Sequence, residues 1–271
     1  MIMKNDMFVI SASRREEMLG FSPDLLCDLL LKKCPPERVH TLVFWSKHPI
    51  NLINHHRLNR LVKQYAQVFL HLTITGMGGT FLEPGIPSPL KVIATIQDII
   101  NLVGSPERVR LRFDPIVHLQ FPDGTIYSNL SFFESIVEIA QSNGIRNLIT
   151  SWMTPYPKVL NRLKANGIQP ILQSSDDILD EWNQLKIKSE HAGLNLNACC
   201  MEQLPVSSCI DGDALTELHP MRLKASEEKA GGQRNRCGCT KSWDIGWYKS
   251  CPGGCLYCYA NPAKVVRKWP S

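Results

Sequence analysis

Three cysteines near the carboxyl end of the sequence have the spacing of a metal-cluster loop. Cys251, Cys255 and Cys258 follow the pattern C-x3-C-x2-C. A loop this short can place three thiolates at three corners of a cube, as a 4Fe-4S cluster requires. Gly253 and Gly254 let the backbone turn tightly between the first two ligands. We predict a 4Fe-4S cluster here with one iron open to a small molecule; tetrahedral zinc and three unbound structural cysteines are the alternatives.

Five further cysteines lie between residues 199 and 239. They are Cys199, Cys200, Cys209, Cys237 and Cys239. By ligand count they could hold a second iron–sulfur cluster or a metal ion. The predicted metal ligands among them are Cys199, Cys209, Cys237 and Cys239. The alternative is that one or two are buried as small hydrophobic residues. The chain has ten cysteines; we expect no secretion signal, and the reducing compartment that this implies disfavours a disulfide framework.

Polar residues lie just beyond several predicted strand ends, where a parallel barrel places its active site. They include Ser13, Arg14, Lys47, Thr73, Thr75, Arg112 and Ser151. Arg14, Lys47 and Arg112 would together make an anion-binding mouth, because arginine binds carboxylate and phosphate in a bidentate manner. The alternative is structural: Arg112 pairs with Asp114, and Lys47 is simply solvated.

The elements that must position these residues are short strands alternating with helical patterns. The predicted strands are Met7–Ser13, Val39–Trp45, Val68–Thr75, Arg108–Phe113, Arg146–Trp152, Gln169–Leu172 and Leu194–Cys200. This rhythm favours a parallel sheet with crossover helices. Seven such units come close to a barrel of eight, so the predicted fold class is α/β, a TIM-barrel-like repeat of βα units. We expect Trp243–Ser250 to be the eighth strand, beside Met7–Ser13, and to close the barrel through the chain ends.

The predicted domain organisation is a barrel body over residues 1–220 and a cysteine-rich segment over residues 221–271 that closes the same domain. The first part of the second segment, Met221–Arg236, is polar and is predicted to be a loop or short linker. The net charge of +5 is mild and gives nucleic-acid binding no independent support. No run of about 18 apolar residues is present, which excludes a membrane-spanning helix. We expect a cytoplasmic protein with no membrane partner.

The segment SCPGGCLYCYA at residues 250–260 resembles the cluster loop of radical S-adenosylmethionine enzymes, in particular the branch of spore photoproduct lyase. The resemblance implies a radical-SAM-like barrel, a 4Fe-4S cluster on the three thiolates and S-adenosylmethionine as cofactor. Tyr257 would lie against the adenine. Ser13, Thr73, Thr75 and Arg112 are the candidates for the cofactor's polar groups. Those enzymes carry the loop after the first barrel strand, so its place here implies a circular permutation.

Over nearly its whole length the chain also resembles a bacterial family known as domain of unknown function 1848. The shared segments are ISASRR, VFWSKHP, LTITGMG, RFDPIV, ACCMEQ, CID and the terminal CGC…DIGWYKSCPGGCLYCYA. This resemblance supplies a family but no reaction.

Three functions follow from these patterns. The first is a radical S-adenosylmethionine enzyme that acts on a small-molecule substrate and takes electrons from a donor such as flavodoxin or ferredoxin. The second is an electron-transfer or non-catalytic iron–sulfur protein, with a fourth ligand from Cys237 or Cys239. The third, implied by the lyase resemblance alone, is nucleic-acid repair.

Overall fold

A computed structural model describes residues 7–264. Its strands are β1 (Phe8–Ala12), β2 (Val39–Ser46), β3 (Val68–Thr73), β4 (Val109–Ile116), β5 (His118–Gln120), β6 (Ile126–Ser128), β7 (Asn147–Trp152), β8 (Gln169–Pro170), β9 (Asn195–Ala198) and β10 (Trp243–Asp244). Its α-helices are α1 (Met18–Phe21), α2 (Pro23–Lys33), α3 (Asn51–Asn54), α4 (His56–Val62), α5 (Pro89–Ile93), α6 (Ile96–Val103), α7 (Phe133–Ser142), α8 (Pro157–Ala165), α9 (Ser175–His191) and α10 (Gly212–Leu218).

Seven strands form one parallel sheet in the order β10-β1-β2-β3-β4-β7-β9. Helices connect the neighbouring strands β1 to β4, as crossover connections between parallel strands require. The central strands read as apolar runs because both of their faces are covered; β2 is buried at seven of its eight positions. The prediction of an α/β fold built on a parallel sheet is confirmed.

Helix ends follow local chemistry. Helix α9 begins with a capping box, in which the Ser174 hydroxyl accepts from the Asp177 N–H and the Asp177 carboxylate accepts from the Ser174 N–H. Helix α6 ends at Gly104, whose φ of 93° lies in the left-handed region that favours glycine.

The last strand, β10, lies beside β1 as predicted. The pairing is parallel, with Ile10 opposite Trp243 and Ser11 opposite Asp244. The strand is two residues long, much shorter than the predicted Trp243–Ser250. Beyond this strand, Gly246 passes so close to Ser13 that a side chain there would overlap the Ser13 side chain. The carboxyl end of β10 therefore leads directly into the segment that carries Cys251.

The predicted closed barrel is not formed over residues 7–264: β9 and β10 are the two edges of an open sheet. One reason is that the predicted strand Gln169–Leu172 does not join the large sheet. Only Gln169–Pro170 is extended, and it pairs antiparallel with β5 in a separate sheet of order β6-β5-β8. Pro170 has no N–H to donate to a central strand. The barrel therefore lacks one of the strands that its closure needs.

Each face of the large sheet has its own apolar cluster. Ile10, Leu42 and Leu70 belong to the main core, which the helices cover. Their neighbours Val9 and Val43 point to the opposite face, since side chains alternate along a strand. That second face packs against Cys209, Cys237 and Cys239, with Cys199 and Cys200 at its margin. These cysteines thus cover the face that a closed barrel would enclose.

A third apolar cluster lies under the C-x3-C-x2-C loop. Cys255, Leu256 and Tyr257 pack there with Met77 and Leu82. None of the helices within residues 7–264 has the length and hydrophobicity that crossing a bilayer requires.

Candidate functional site

The C-x3-C-x2-C loop, residues 251–258, packs on the segment that follows β3. The Gly85 N–H donates to the Gly253 carbonyl at 3.1 Å, and the Leu256 N–H donates to the Leu82 carbonyl at 3.0 Å. Gly85 has to be glycine, because a side chain there would overlap the backbone at residues 252 and 253. Two backbone segments distant in sequence are therefore held in direct contact.

The two ends of the loop are also anchored. The Cys251 N–H donates to the Asn261 carbonyl at 2.8 Å, and the Cys251 carbonyl accepts from the Ala263 N–H at 2.7 Å. Arg162, on helix α8, donates from Nε to the Leu256 carbonyl at 2.7 Å and from Nη2 to the Cys258 carbonyl. The loop is therefore fixed by backbone pairing on one side and by a guanidinium on the other.

The three thiols of the loop are buried or half-buried and lie close enough to influence one another's charge. Burial raises the pKa of the Cys255 thiol well above its usual value, and the Glu83 carboxylate raises it further, whereas Lys47 opposes the shift. Burial also raises the pKa of Cys251 and Cys258. Such thiols stay protonated at neutral pH unless a cation arrives to stabilise the thiolates.

A buried ion pair supports the loop from below. Lys47 Nζ donates to Glu83 Oε1 at 2.8 Å and to the Tyr257 hydroxyl at 2.8 Å. The same carboxylate accepts from Thr75 Oγ1 at 2.7 Å and from the Tyr257 hydroxyl. Burial, the largest influence, would lower the pKa of Lys47, but Glu83, Cys255 and Asp114 together leave that pKa raised. Lys47 is therefore charged, and it ties Tyr257 of the loop to the segment after β3.

The other five cysteines form a second group, which we name the five-thiol group. The Sγ atoms of Cys199 and Cys209 are 3.7 Å apart, and those of Cys199 and Cys200 are 4.0 Å apart. Cys200 also interacts with Cys237, Cys237 with Cys239, and Cys239 with Cys209. These contacts link the five sulfurs in a closed ring. Hydrogen bonds from Cys200 and Cys239 lower the pKa of the Cys237 thiol.

Arginines face the five-thiol group. Arg112 Nη1 donates to Cys209 Sγ at 3.1 Å, and Arg234 Nη2 donates to Cys199 Sγ at 3.6 Å. Arg112 also forms an ion pair with Asp114. Contacts with other thiols and burial raise the pKa of Cys199 and Cys209, and the charge of Arg112 opposes part of that rise.

The predicted residues divide between these places. Thr75 and Tyr257 belong to the Lys47 network, whereas Ser13 Oγ donates to Asp244 Oδ1 at 2.8 Å beside β10. Thr73, the last residue of β3, is half-buried. Arg112 contacts the five-thiol group and is paired with Asp114, as the structural alternative for that residue predicted.

The predicted anion-binding mouth is not a set of unpaired cations. Lys47 is paired with Glu83 rather than solvated, with a side chain 20% exposed. Arg14 and Arg112 lie over the same indole, with guanidinium carbons 4.9 and 5.1 Å from the Trp45 ring centroid. Lys47 and Arg112 are paired with carboxylates, whereas the buried Arg14 Nη2 has no hydrogen-bond partner among the described residues.

Sequence reasoning missed three residues that hold the site: Glu83, Arg162 and Asp244. Asp244 accepts from Ser11 Oγ at 2.8 Å and from the Arg14 N–H at 2.9 Å, which fixes β10 against β1. No local pattern marks any of the three. Within residues 7–264, no three or more His, Cys, Asp or Glu side chains are arranged so that they could hold a metal ion as they stand.

One family matches this chain. Residues 30–260 match the sequence model of the family described as Domain of unknown function (DUF1848). The matched span includes both the loop cysteines and the five-thiol group. No curated protein and no solved structure gives a significant match to the chain.

Proposed function

For this chain, which belongs to the DUF1848 family, we propose an iron–sulfur function centred on Cys251, Cys255 and Cys258. The observation that carries the proposal is the position of the loop. It follows β10, and β10 lies parallel to β1 at the edge of the sheet. A ligand site at the carboxyl ends of parallel strands is the usual arrangement in α/β folds, open or closed. The proposal therefore does not depend on a closed barrel.

The chemistry of the donor set supports a cluster. Three thiols lie on one anchored loop, and the charges of Lys47 and Arg162 oppose part of the rise that burial causes in the pKa of Cys258. These cations would offset part of the negative charge that a cluster with thiolate ligands carries. Because the thiols do not already surround one point, the ligand side chains would rotate as a 4Fe-4S cluster enters.

The positions of the remaining cysteines favour a cluster on the loop in which one iron has no protein ligand. An electron carrier would need a fourth thiolate, for which Cys237 and Cys239 are the sequence candidates. Both are members of the five-thiol group and interact with its other thiols instead. We therefore place a radical S-adenosylmethionine enzyme ahead of an electron carrier.

The protein's own residues would position the cofactor. When bound, a reduced cluster with an open iron would supply the one electron for cleavage of S-adenosylmethionine into methionine and a 5′-deoxyadenosyl radical. Tyr257 and Thr75 adjoin the loop through the Lys47 network, and we retain them as candidate contacts. Ser13 and Thr73 are candidates at the carboxyl ends of β1 and β3. The substrate would be a small molecule, and flavodoxin or ferredoxin a suitable electron donor.

The test has two steps. Anaerobic reconstitution with iron and sulfide should give brown protein with about four irons on the loop. Cys255→Ala should lose them, whereas Cys27→Ala, a change in the apolar core, should not. Dithionite-reduced protein should then convert S-adenosylmethionine to 5′-deoxyadenosine. An intact, reduced cluster that forms no 5′-deoxyadenosine would favour the electron carrier, and colourless protein with stoichiometric zinc in the loop would refute the cluster.

A further inference from the structure

The five-thiol group is a separate site with its own chemistry. We propose that four of its five thiols bind a single thiophilic metal ion, with Zn²⁺ as the reference ion, independently of the C-x3-C-x2-C loop. The group comprises Cys199, Cys200, Cys209, Cys237 and Cys239.

The sulfur–sulfur distances carry this assignment. Four thiolates about 2.3 Å from a tetrahedral zinc ion lie about 3.8 Å from one another. The observed separations are 3.7 Å for Cys199 and Cys209 and 4.0 Å for Cys199 and Cys200. An iron–sulfur cluster would hold its thiolates farther apart, because several iron and sulfide atoms lie between them. The spacing therefore favours one ion over a second cluster.

The backbone brings the ligands together from distant segments. Residues 207 and 237 form a parallel bridge, and the Gly238 N–H donates to the Ser207 carbonyl at 3.2 Å. The Ile210 N–H donates to Cys239 Sγ at 3.4 Å. Residues 207–210 and 237–240 are thus held side by side, which places Cys209 next to Cys239. The thiols are not yet arranged to hold an ion in the described residues, so binding would require their side chains to rotate into a tetrahedron.

The charge surrounding the group suits a metal thiolate. A divalent ion with four thiolates has a net charge of −2, which needs positive partners in a partly buried site. Arg112 and Arg234 donate to sulfur at 3.1 and 3.6 Å. N–H donors to ligating sulfur are the outer-shell contacts that tune metal sites. Cysteines buried only as small apolar residues would not need two guanidinium groups against their sulfurs.

The experiment isolates this group from the loop. In a variant with Cys251, Cys255 and Cys258 all changed to Ser, reduced protein is titrated with Co²⁺ and then Zn²⁺ under anaerobic conditions. We expect one Co²⁺ per chain, with thiolate charge-transfer absorption and the intense visible bands of tetrahedral cobalt, displaced by Zn²⁺. Adding Cys209→Ser together with Cys199→Ser leaves only three thiols and should weaken binding by about 100-fold or more, because even outer-shell partners are worth about 10–100-fold. Cys27→Ala is the matched control and should not weaken binding.

A second measurement on the unchanged protein covers the case in which the variant with Cys199→Ser and Cys209→Ser does not fold. Zn²⁺ should protect the peptides carrying Cys199 and Cys239 from alkylation, and a chelator should reverse the protection. Arg234→Ala, at an exposed position, should weaken binding by about 10–100-fold without unfolding the protein. The proposal is overturned if alkylation is the same with and without zinc. It is also overturned if the triple loop variant binds several irons with sulfide. Neither result depends on whether the loop holds a cluster.

Discussion

Replacing Lys47 by Met is the most informative change in the support of the cluster loop. Methionine keeps most of the volume of the side chain but removes the ammonium group. The Glu83 carboxylate, only 2% exposed, then loses the cation 2.8 Å away. Hydrogen bonds from Thr75 and Tyr257 remain.

Loss of one partner from a buried ion pair costs about 3–5 kcal/mol, because the other charge stays buried without compensation. The two remaining hydroxyl donors and the 20% exposure of Lys47 lead us to expect the lower end, about 3 kcal/mol. Lys188→Met is the matched control. It breaks a pair with Glu134 whose side chains are 51% and 73% exposed, so the free energy of unfolding should hardly change.

The assay is urea unfolding followed by far-ultraviolet circular dichroism in reducing buffer at neutral pH, with free energies compared at equal m values. In the double variant Lys47→Met with Glu83→Gln no charge is left unpaired, so about 1–3 kcal/mol should return. If Lys47→Met costs no more than Lys188→Met, or if the double variant recovers nothing, the ion pair does not support the loop as argued.

Three further outcomes are expected. Burial raises the pKa of Cys34 from 9.0 to about 11. The protonated thiol therefore makes its full contribution to the free energy of unfolding below about pH 9, and this contribution falls by about 2–3 kcal/mol towards pH 11. Urea titrations across this range should show the fall, and Cys34→Ala should flatten it; equal slopes would contradict the assignment. Asp244→Ala removes four accepted hydrogen bonds of 2.8–3.0 Å and should cost about 3 kcal/mol, with faster hydrogen exchange at β10; unchanged exchange would count against its role. Arg162→Ala frees the carbonyls of Leu256 and Cys258 and should speed bleaching of the reconstituted cluster in air, measured by visible absorption; an unchanged rate would show that the clamp is dispensable.

The sequence predicted the sheet better than its closure. The strands β1 to β4 were recognisable because buried parallel strands read as apolar runs, and the place of β10 followed from the need for a strand before Cys251. The prediction of a closed barrel was wrong because periodicity alone cannot decide which sheet a segment as short as residues 169–172 joins. The covering of one sheet face by the five-thiol group has no signature in local sequence.

The candidate site was predictable in its ligands and not in its supports. Spacing alone identified Cys251, Cys255 and Cys258, because a single loop must supply them. Glu83 meets Lys47 from 36 residues away, and Asp244 meets Ser11 from 233 residues away. Contacts over such separations depend on the fold, and no short-range pattern encodes them. The same holds for Arg112, whose contact with Cys209 spans 97 residues.

The electron paramagnetic resonance spectrum of the dithionite-reduced, reconstituted protein tests the central claim most directly. The account predicts the signal of a reduced 4Fe-4S cluster, a change in that signal when S-adenosylmethionine binds the open iron, and loss of the signal in Cys255→Ala. A cluster signal that S-adenosylmethionine leaves unchanged, or one that persists in Cys255→Ala, would contradict a cluster held by this loop with an open iron.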